Sequence, residues 1–272
     1  MIVDTHVHVV SGNRQKYPVL PEAPDWPVTE IDGLVRDMDA IGIDKAVLVQ
    51  TMFTYGFDNS YMIDCAARYP TRFETVAVID QTARNAPETL TDLVEKHRVR
   101  GVRFMPKGFP AGVLTNPQTF PVWQRASDLG IPITVAAELE HLPGMPSVVE
   151  RFPQAKIAFE HMWALELTPP FDSIKPIFEL ARFPNVSLKL CPNNSHAVRD
   201  GKGKAEDFFG GLIARFGIGR VMWGSNYPAH SHRFGGLKER LHIMQEDFAF
   251  LGAADRERFF SGNALGFWPR LR

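Results

Sequence analysis

The chain predicts an α/β fold, a single (β/α)8 TIM barrel that takes in residues 1–272 as one domain. Three observations carry that expectation. Eight short apolar or β-branched runs recur along the chain, with helical periodicity between them. The runs are continuously apolar rather than alternating, as parallel strands covered on both faces must be. No glycine-rich dinucleotide fingerprint and no proline- or serine-rich linker is present, which favours one closed barrel over an open doubly wound sheet or two domains.

The elements follow in order. The first strand is Ile2–Val9, and the helix Glu30–Ile41 places Ile31, Leu34, Val35, Met38 and Ile41 on one stripe, with Thr29 as its N-cap. Ala46–Gln50 is the second strand, followed by a helix over Asn59–Arg68. Glu74–Ile79 precedes the helix Pro87–His97, and Gly101–Met105 precedes Phe120–Leu129. The fifth and sixth strands, Ile133–Ala137 and Ile157–His161, alternate with helices over Met145–Phe152 and Ser173–Arg182. Val186–Leu190 leads to Ala205–Phe216, and Val221–Gly224 to Leu237–Phe248, before a last helical stretch over Ala254–Phe260. Strand–helix alternation implies right-handed crossovers, and in a barrel the reactive groups sit at the C-terminal ends of the strands.

Composition narrows the class of partner. Hydrophobic residues make up 44% and charged residues 22%, ordinary for a chain that buries a large core. A net charge of −1 with no basic tract gives no general attraction to nucleic acid or anionic membrane. The N-terminus lacks a basic segment followed by an apolar run, and no stretch is apolar enough to span a bilayer, so a cytoplasmic protein is expected. The two cysteines, Cys65 and Cys191, read as small buried thiols in a reducing compartment. Association into a homo-oligomer stays open.

Asp4, His6 and His8 in DTHVHV stand two apart on the first strand, which points them to one side of it. Imidazoles at this spacing can hold one divalent cation, and they can equally polarise a carbonyl as hydrogen-bond donors. A hydrogen-bonded structural cluster is the competing explanation.

DTHVHV, EHM at the end of strand six and GSNYP after strand eight resemble the amidohydrolase superfamily, amidohydrolase-2 type. The nearer resemblance is to its branch of 2-pyrone-4,6-dicarboxylate hydrolase and the sugar-acid lactonases, with VLVQ, YGFDNSYMID, VRGVRFM, VSLKL and SGNALGFW in support. The resemblance implies a carbonyl held near His6, His8 and His161, water activated by an aspartate after strand eight, and chemistry that in several members needs no metal. This chain departs from the pattern twice. Asn226 stands where that aspartate is expected, and strand five ends in Ala136 and Ala137 where many relatives carry a histidine. An amide is a poor base and a weak metal ligand but still donates hydrogen bonds. No cofactor is therefore expected; a zinc ion, if one binds, would take His6, His8 and His161.

His161 is the expected base, with Asn226 orienting water or the oxyanion. Glu138 and Glu140 are placed to lean into the mouth, whereas Glu160 is expected to face the helices. His141, His196, His230 and His232 read as solvated loop residues, and His97 and His242 as helical ones. The resemblance assigns Arg103 to an acidic substrate. Lys107 and Lys189 would add positive charge, while Gln50, Tyr55, Asn193 and Asn194 suit hydroxyls or a lactone ring. Trp163, Phe53 and Trp223 could line an apolar wall, Trp223 by core packing. The expected activity is hydrolysis of a sugar-acid or related carboxylated lactone without a metal. Lactone isomerisation, metal-dependent amide hydrolysis or decarboxylation, and a non-catalytic binding relative are the alternatives.

Overall fold

The computed structural model describes residues 1–110, 112–136, 138–162 and 167–271. Its eight parallel strands are β1 (Val3–Val7), β2 (Lys45–Val49), β3 (Phe73–Val78), β4 (Val102–Phe104), β5 (Ile133–Val135), β6 (Ile157–Glu160), β7 (Val186–Leu190) and β8 (Val221–Trp223). They pair in sequence order. The ring is drawn shut beyond β8, where Val7 bridges Tyr227, the amide of His8 donates to the Tyr227 carbonyl (2.7 Å), and that of Asn226 to the His6 carbonyl (2.8 Å). This is a (β/α)8 barrel.

The strands are apolar on both faces because both are covered. Ala46, Leu48, Ile133, Ile157 and Leu188 pack outward against helical residues such as Ile31, Leu34, Trp123 and Phe208. A smaller cluster joins Val3, Val47, Val49, Val76, Ala158 and Met222 to Phe267, Trp268 and Leu271 of the C-terminal segment, which plugs the N-terminal end of the barrel. That leaves the other end for chemistry.

Element ends move by a residue or two, and three differences have local causes. Thr29 is not a cap: its backbone bridges Val10 and its hydroxyl donates to the Pro27 carbonyl (3.1 Å), so the helix Ile31–Ile41 starts after Glu30 without a side-chain cap. A helix over Pro192–Asp200 is absent from the sequence expectation because PNNSHAVRD carries little apolar periodicity. It places His196 on a helix rather than in a loop, and His232 also lies on a short helix, Ser231–Phe234. The last helical stretch runs as Ala253–Glu257, a π turn over Arg258–Gly262, and Asn263–Phe267. Cys65 and Cys191 are buried and unbridged. Among the described residues, no helix is long and apolar enough to cross a membrane. Ala137 and Trp163 lie outside the described residues.

Candidate active site

Two strand ends, of β1 and β6, bring the three histidines together. A register irregularity between Asp4 and Val7 lets β1 deliver both His6 and His8 into buried positions. Asp4 anchors this turn: one carboxylate oxygen accepts from the amides of His6 (2.9 Å) and Ser225 (2.8 Å), tying β1 to the loop after β8. Gly224 is required here, because a Cβ would come within 2.8 Å of the His6 Cβ. Burial raises the Asp4 carboxyl to about 6, against the lowering effect of hydrogen bonds from Ser225 and His6.

At the end of β6 the backbone turns left-handed, with φ 59° at His161. The alternation of an extended strand stops there, so Glu160 and His161 both enter the barrel. Glu160 therefore does not face the helices. Lys189, its neighbour across the β6–β7 pairing, points the same way. Asn194 holds the turn by donating to the His161 carbonyl (2.5 Å) while its oxygen accepts from the Cys191 amide (3.0 Å).

Asn226 is also left-handed (φ 54°), a conformation asparagine tolerates better than most residues. Arg240, fully buried, fixes it by donating to the carbonyls of Ser225 (3.0 Å), Asn226 (3.0 Å) and Ala229 (2.6 Å). The Asn226 side chain stands beside His8, and its Nδ2 is buried without a hydrogen-bond partner among the described residues.

The ring nitrogens form a chain whose protons can be assigned. His8 Nδ1 lies 2.7 Å from the Val49 carbonyl, which only accepts, so Nδ1 carries hydrogen and the neutral ring has a bare Nε2. That Nε2 is 3.2 Å from His6 Nε2, which must then be the donor. With that assignment His6 Nδ1 accepts from Lys189 Nζ, 3.0 Å away and nearer than the Glu160 Oε1 at 3.4 Å. His161 Nε2 approaches the same His6 nitrogen at 3.3 Å, and its Nδ1 lies 3.2 Å from the Cys191 sulfur.

Below these rings sits an ion cluster. Glu160 accepts from Arg103 Nε (2.6 Å) on one oxygen and from Lys189 (3.0 Å) on the other. Burial pushes the Glu160 carboxyl up, but Arg103 and Lys189 outweigh it and hold the group well below the usual carboxylate range. Arg103 and Lys189 thus set two cations around the Glu160 carboxylate, and Asp4, ionised at pH 7, also attracts Lys189. Burial, reinforced by Arg103, pulls His8 down to about 3. Burial also lowers His6 and His161 well below the usual imidazole range, with Lys189 adding to both. All three rings are neutral at pH 7.

A family model described as Amidohydrolase matches residues 3–270. The chain belongs to this amidohydrolase family. Over 115 residues it is 30% identical to a dihydroorotase of Pseudomonas putida (strain GB-1), covering 34% of this chain and 31% of that protein. It thus spans about a third of the length of the curated relatives it matches. Its fold is similar to that of a probable 2-pyrone-4,6-dicarboxylic acid hydrolase from Acinetobacter baumannii with citric acid bound. The TM-score is 0.80 at 16% identity, over 98% of this chain and 99% of that one. An amidohydrolase from Burkholderia multivorans with bound zinc gives a TM-score of 0.76 at 17% identity, over 99% of each chain. At such identities the likeness shows the fold alone.

In this amidohydrolase the other sequence candidates divide. Lys107 is exposed on the rim, its ammonium 5.0 Å over the Phe53 ring. Gln50 donates to the Asp58 carbonyl, and the Tyr55 hydroxyl accepts from the Ser11 amide (2.8 Å), so both brace loops. Arg103 spends its Nε on Glu160; its terminal nitrogens have no hydrogen-bond partner among the described residues. Asn193 is half-buried with an unpartnered Oδ1. Glu140 is exposed and pairs with His141 Nε2 (3.6 Å), while His242 pairs on the surface with Glu246 (3.2 Å). Trp223 is core, packed on Phe260. The sequence reading missed Arg240, the Cys191–His161 contact and Trp26, whose ring lies 5.4 Å from that of His8. None of these three carries a spacing signal.

Two groups of donor atoms converge within 4.8 Å and could hold a metal ion: His6, Glu160 and His161, and Glu138, Glu140 and His141. The Nε2 separations of 3.2 and 3.3 Å among His6, His8 and His161 match the edge of a tetrahedral zinc site with Zn–N near 2.0–2.1 Å. The hydrogen bonding does not fit, however. Both Glu160 oxygens are taken by cations, and His6, the ring common to both contacts, has its hydrogen on Nε2. A divalent ion would also be repelled by the Arg103 and Lys189 cations beside these rings.

Proposed function

We propose that this amidohydrolase opens the ring of a carboxylated lactone by hydrolysis, without a catalytic metal. The observation that carries this reading is the proton chain from Lys189 through His6 to His8, beside an Arg103 guanidinium that spends only its Nε on Glu160. Buried positive charge attracts an anion, and the free end of Arg103 suits a carboxylate through two parallel hydrogen bonds.

His161 takes the proton from water. In the tautomer with its hydrogen on Nδ1, set against the Cys191 sulfur that burial keeps as a thiol (pushed up to about 12), its Nε2 presents the lone pair to water. Cancelling the positive charge with the substrate's carboxylate raises the basicity of that ring at the moment it is needed. The tautomers make His6 Nε2–H, rather than His8, the donor to the lactone carbonyl. Asn226 Nδ2–H supplies a second donor to the oxyanion, a role worth roughly 2.7–4 kcal/mol where such donors have been removed elsewhere. The tetrahedral centre collapses by breaking its bond to the ring oxygen, which receives the proton from His161.

Proton NMR of chelator-treated protein with a panel of carboxylated lactones tests this directly. The open acid should appear and the rate should not rise when zinc is added. A new lactone at constant total lactone would instead show internal acyl transfer, and activity confined to zinc-loaded protein would overturn the metal-free assignment.

A further inference from the structure

A cavity of about 530 Å3 opens at the C-terminal end of the barrel, walled by Leu20, Pro24, Trp26, Met52 and Phe53. Glu22, Lys107 and His230 are its polar side chains. These residues follow β1, β2, β4 and β8, the strands that carry His6, the Val49 carbonyl that sets His8, Arg103, and the turn to Asn226. Trp26 links cavity and site physically, its ring 5.4 Å from His8 and tilted 33° to it. The cavity is thus the vestibule above the three rings.

We propose that the vestibule receives an aromatic or similarly apolar substituent of the lactone, so that the substrate class is the aryl-bearing acid lactones rather than the polyhydroxylated sugar acids. This rests on the lactone-hydrolase reading. Hydroxyls laid against Leu20, Pro24, Met52 and Phe53 would lose water and gain no partner, a cost of about 1–3 kcal/mol each. Glu22 and Lys107 offset one another, and burial, with His232 beside it, lowers His230 so that it is neutral at pH 7. The wall is therefore apolar and carries no net charge, in contrast to the positive cluster below. One carboxylate goes down to Arg103 and the uncharged part stays above. A cavity of about 150 Å3 is enough for one benzene ring, so this volume accommodates a lactone ring and an aryl group together. Trp26 and Phe53 offer faces for offset stacking.

The test compares kcat/KM for two lactones with the same ring and carboxylate, one bearing a phenyl group and the other a dihydroxyethyl group. Wild-type protein should favour the phenyl compound by roughly 10- to 100-fold. Trp26→Ala, a half-buried loop residue whose loss leaves the barrel intact, should erase most of that ratio. A wild-type preference for the hydroxylated lactone, or an equal loss on both substrates in Trp26→Ala, overturns the proposal. If neither lactone opens, binding of the phenyl-bearing hydroxy acid by NMR decides separately. Binding weakened about tenfold in Trp26→Ala upholds the vestibule assignment while the reaction fails, and no binding sinks both.

Discussion

Lys189→Met tests whether hydrogen bonding, rather than a shortage of ligands, keeps a divalent ion from the three histidines. Lys189 Nζ lies 3.0 Å from both His6 Nδ1 and Glu160 Oε1. Without it, His6 Nδ1 is free to carry the hydrogen and donate to Glu160 Oε1, already 3.4 Å away. The bare lone pair then moves to Nε2, where the other two rings stand at 3.2 and 3.3 Å. A charge is removed as well. The ammonium would sit about 7 Å from an ion bound there, allowing for the ring's width and a Zn–N bond of about 2 Å. Repulsion of one charge with two at that distance is about 5 kcal/mol at an effective dielectric of 20, or roughly a thousandfold in affinity. Glu160 keeps Arg103, so the variant should fold, at a cost of about 1–3 kcal/mol. Titration of zinc against a competing chelating dye should show at least a hundredfold tighter single site in the variant, and cobalt loading should give the visible bands of tetrahedral coordination. Equal, tight zinc binding by wild type and variant would refute the tautomer assignment.

Three further outcomes follow from the same geometry. Asn226→Asp removes the unpartnered Nδ2 donor and adds a buried negative charge, so kcat on the hydrolysed lactone should fall about 100-fold; an increase would mean that Asn226 marks decay of an ancestral base. Arg240→Met strips donors from three carbonyls of the Asn226 loop and should cost about 3 kcal/mol in urea unfolding, with kcat falling more than KM rises. An unchanged kcat would separate loop geometry from catalysis. Acidification should destabilise the fold. His6, His8 and His161 are neutral in the fold but take up protons below their ordinary 6.5 when unfolded, so each withdraws stability as the pH drops. Asp4 acts oppositely between its ordinary 3.8 and about 6, since the folded form binds the proton more tightly. The balance of about two protons gives a slope of roughly 2–3 kcal/mol per pH unit between pH 4 and 6. Equal urea midpoints at pH 7 and 5 would show that the rings are not buried neutral.

The barrel was legible because parallel strands covered on both faces must be continuously apolar, and Val186–Leu190 and Ala205–Phe216 emerge with the bounds expected of them. Polar elements were not: the helix Pro192–Asp200 is held by a proline at its first turn and the Asn194 side chain rather than by an apolar stripe. At the site, the structure gathers His6, His8, His161, Lys189 and Asn226, all at or near strand ends, around one point. Glu160 went astray because alternation assumes extended backbone through the next residue, and His161 is left-handed. The protonation of His8 was equally out of reach, since it depends on a carbonyl from another strand.

That misplaced glutamate also explains the amide at position 226. With Glu160 inside the barrel, Arg103 and Lys189 already have one carboxylate between them. An aspartate at 226 would add a further buried anion to the site and, under the lactone-hydrolase proposal, weaken its attraction for an acidic substrate. Asparagine keeps the donor without adding that anion, so in the proposed reaction the carboxylate that meets Arg103 arrives with the substrate. In that reaction the carboxylate offsets Arg103 and so raises the basicity of His161, which burial, with Arg103 adding to it, holds well below the usual imidazole range. Under this reading the base is switched on by the substrate's own acid group, and a lactone without a carboxylate should bind in the vestibule but open slowly.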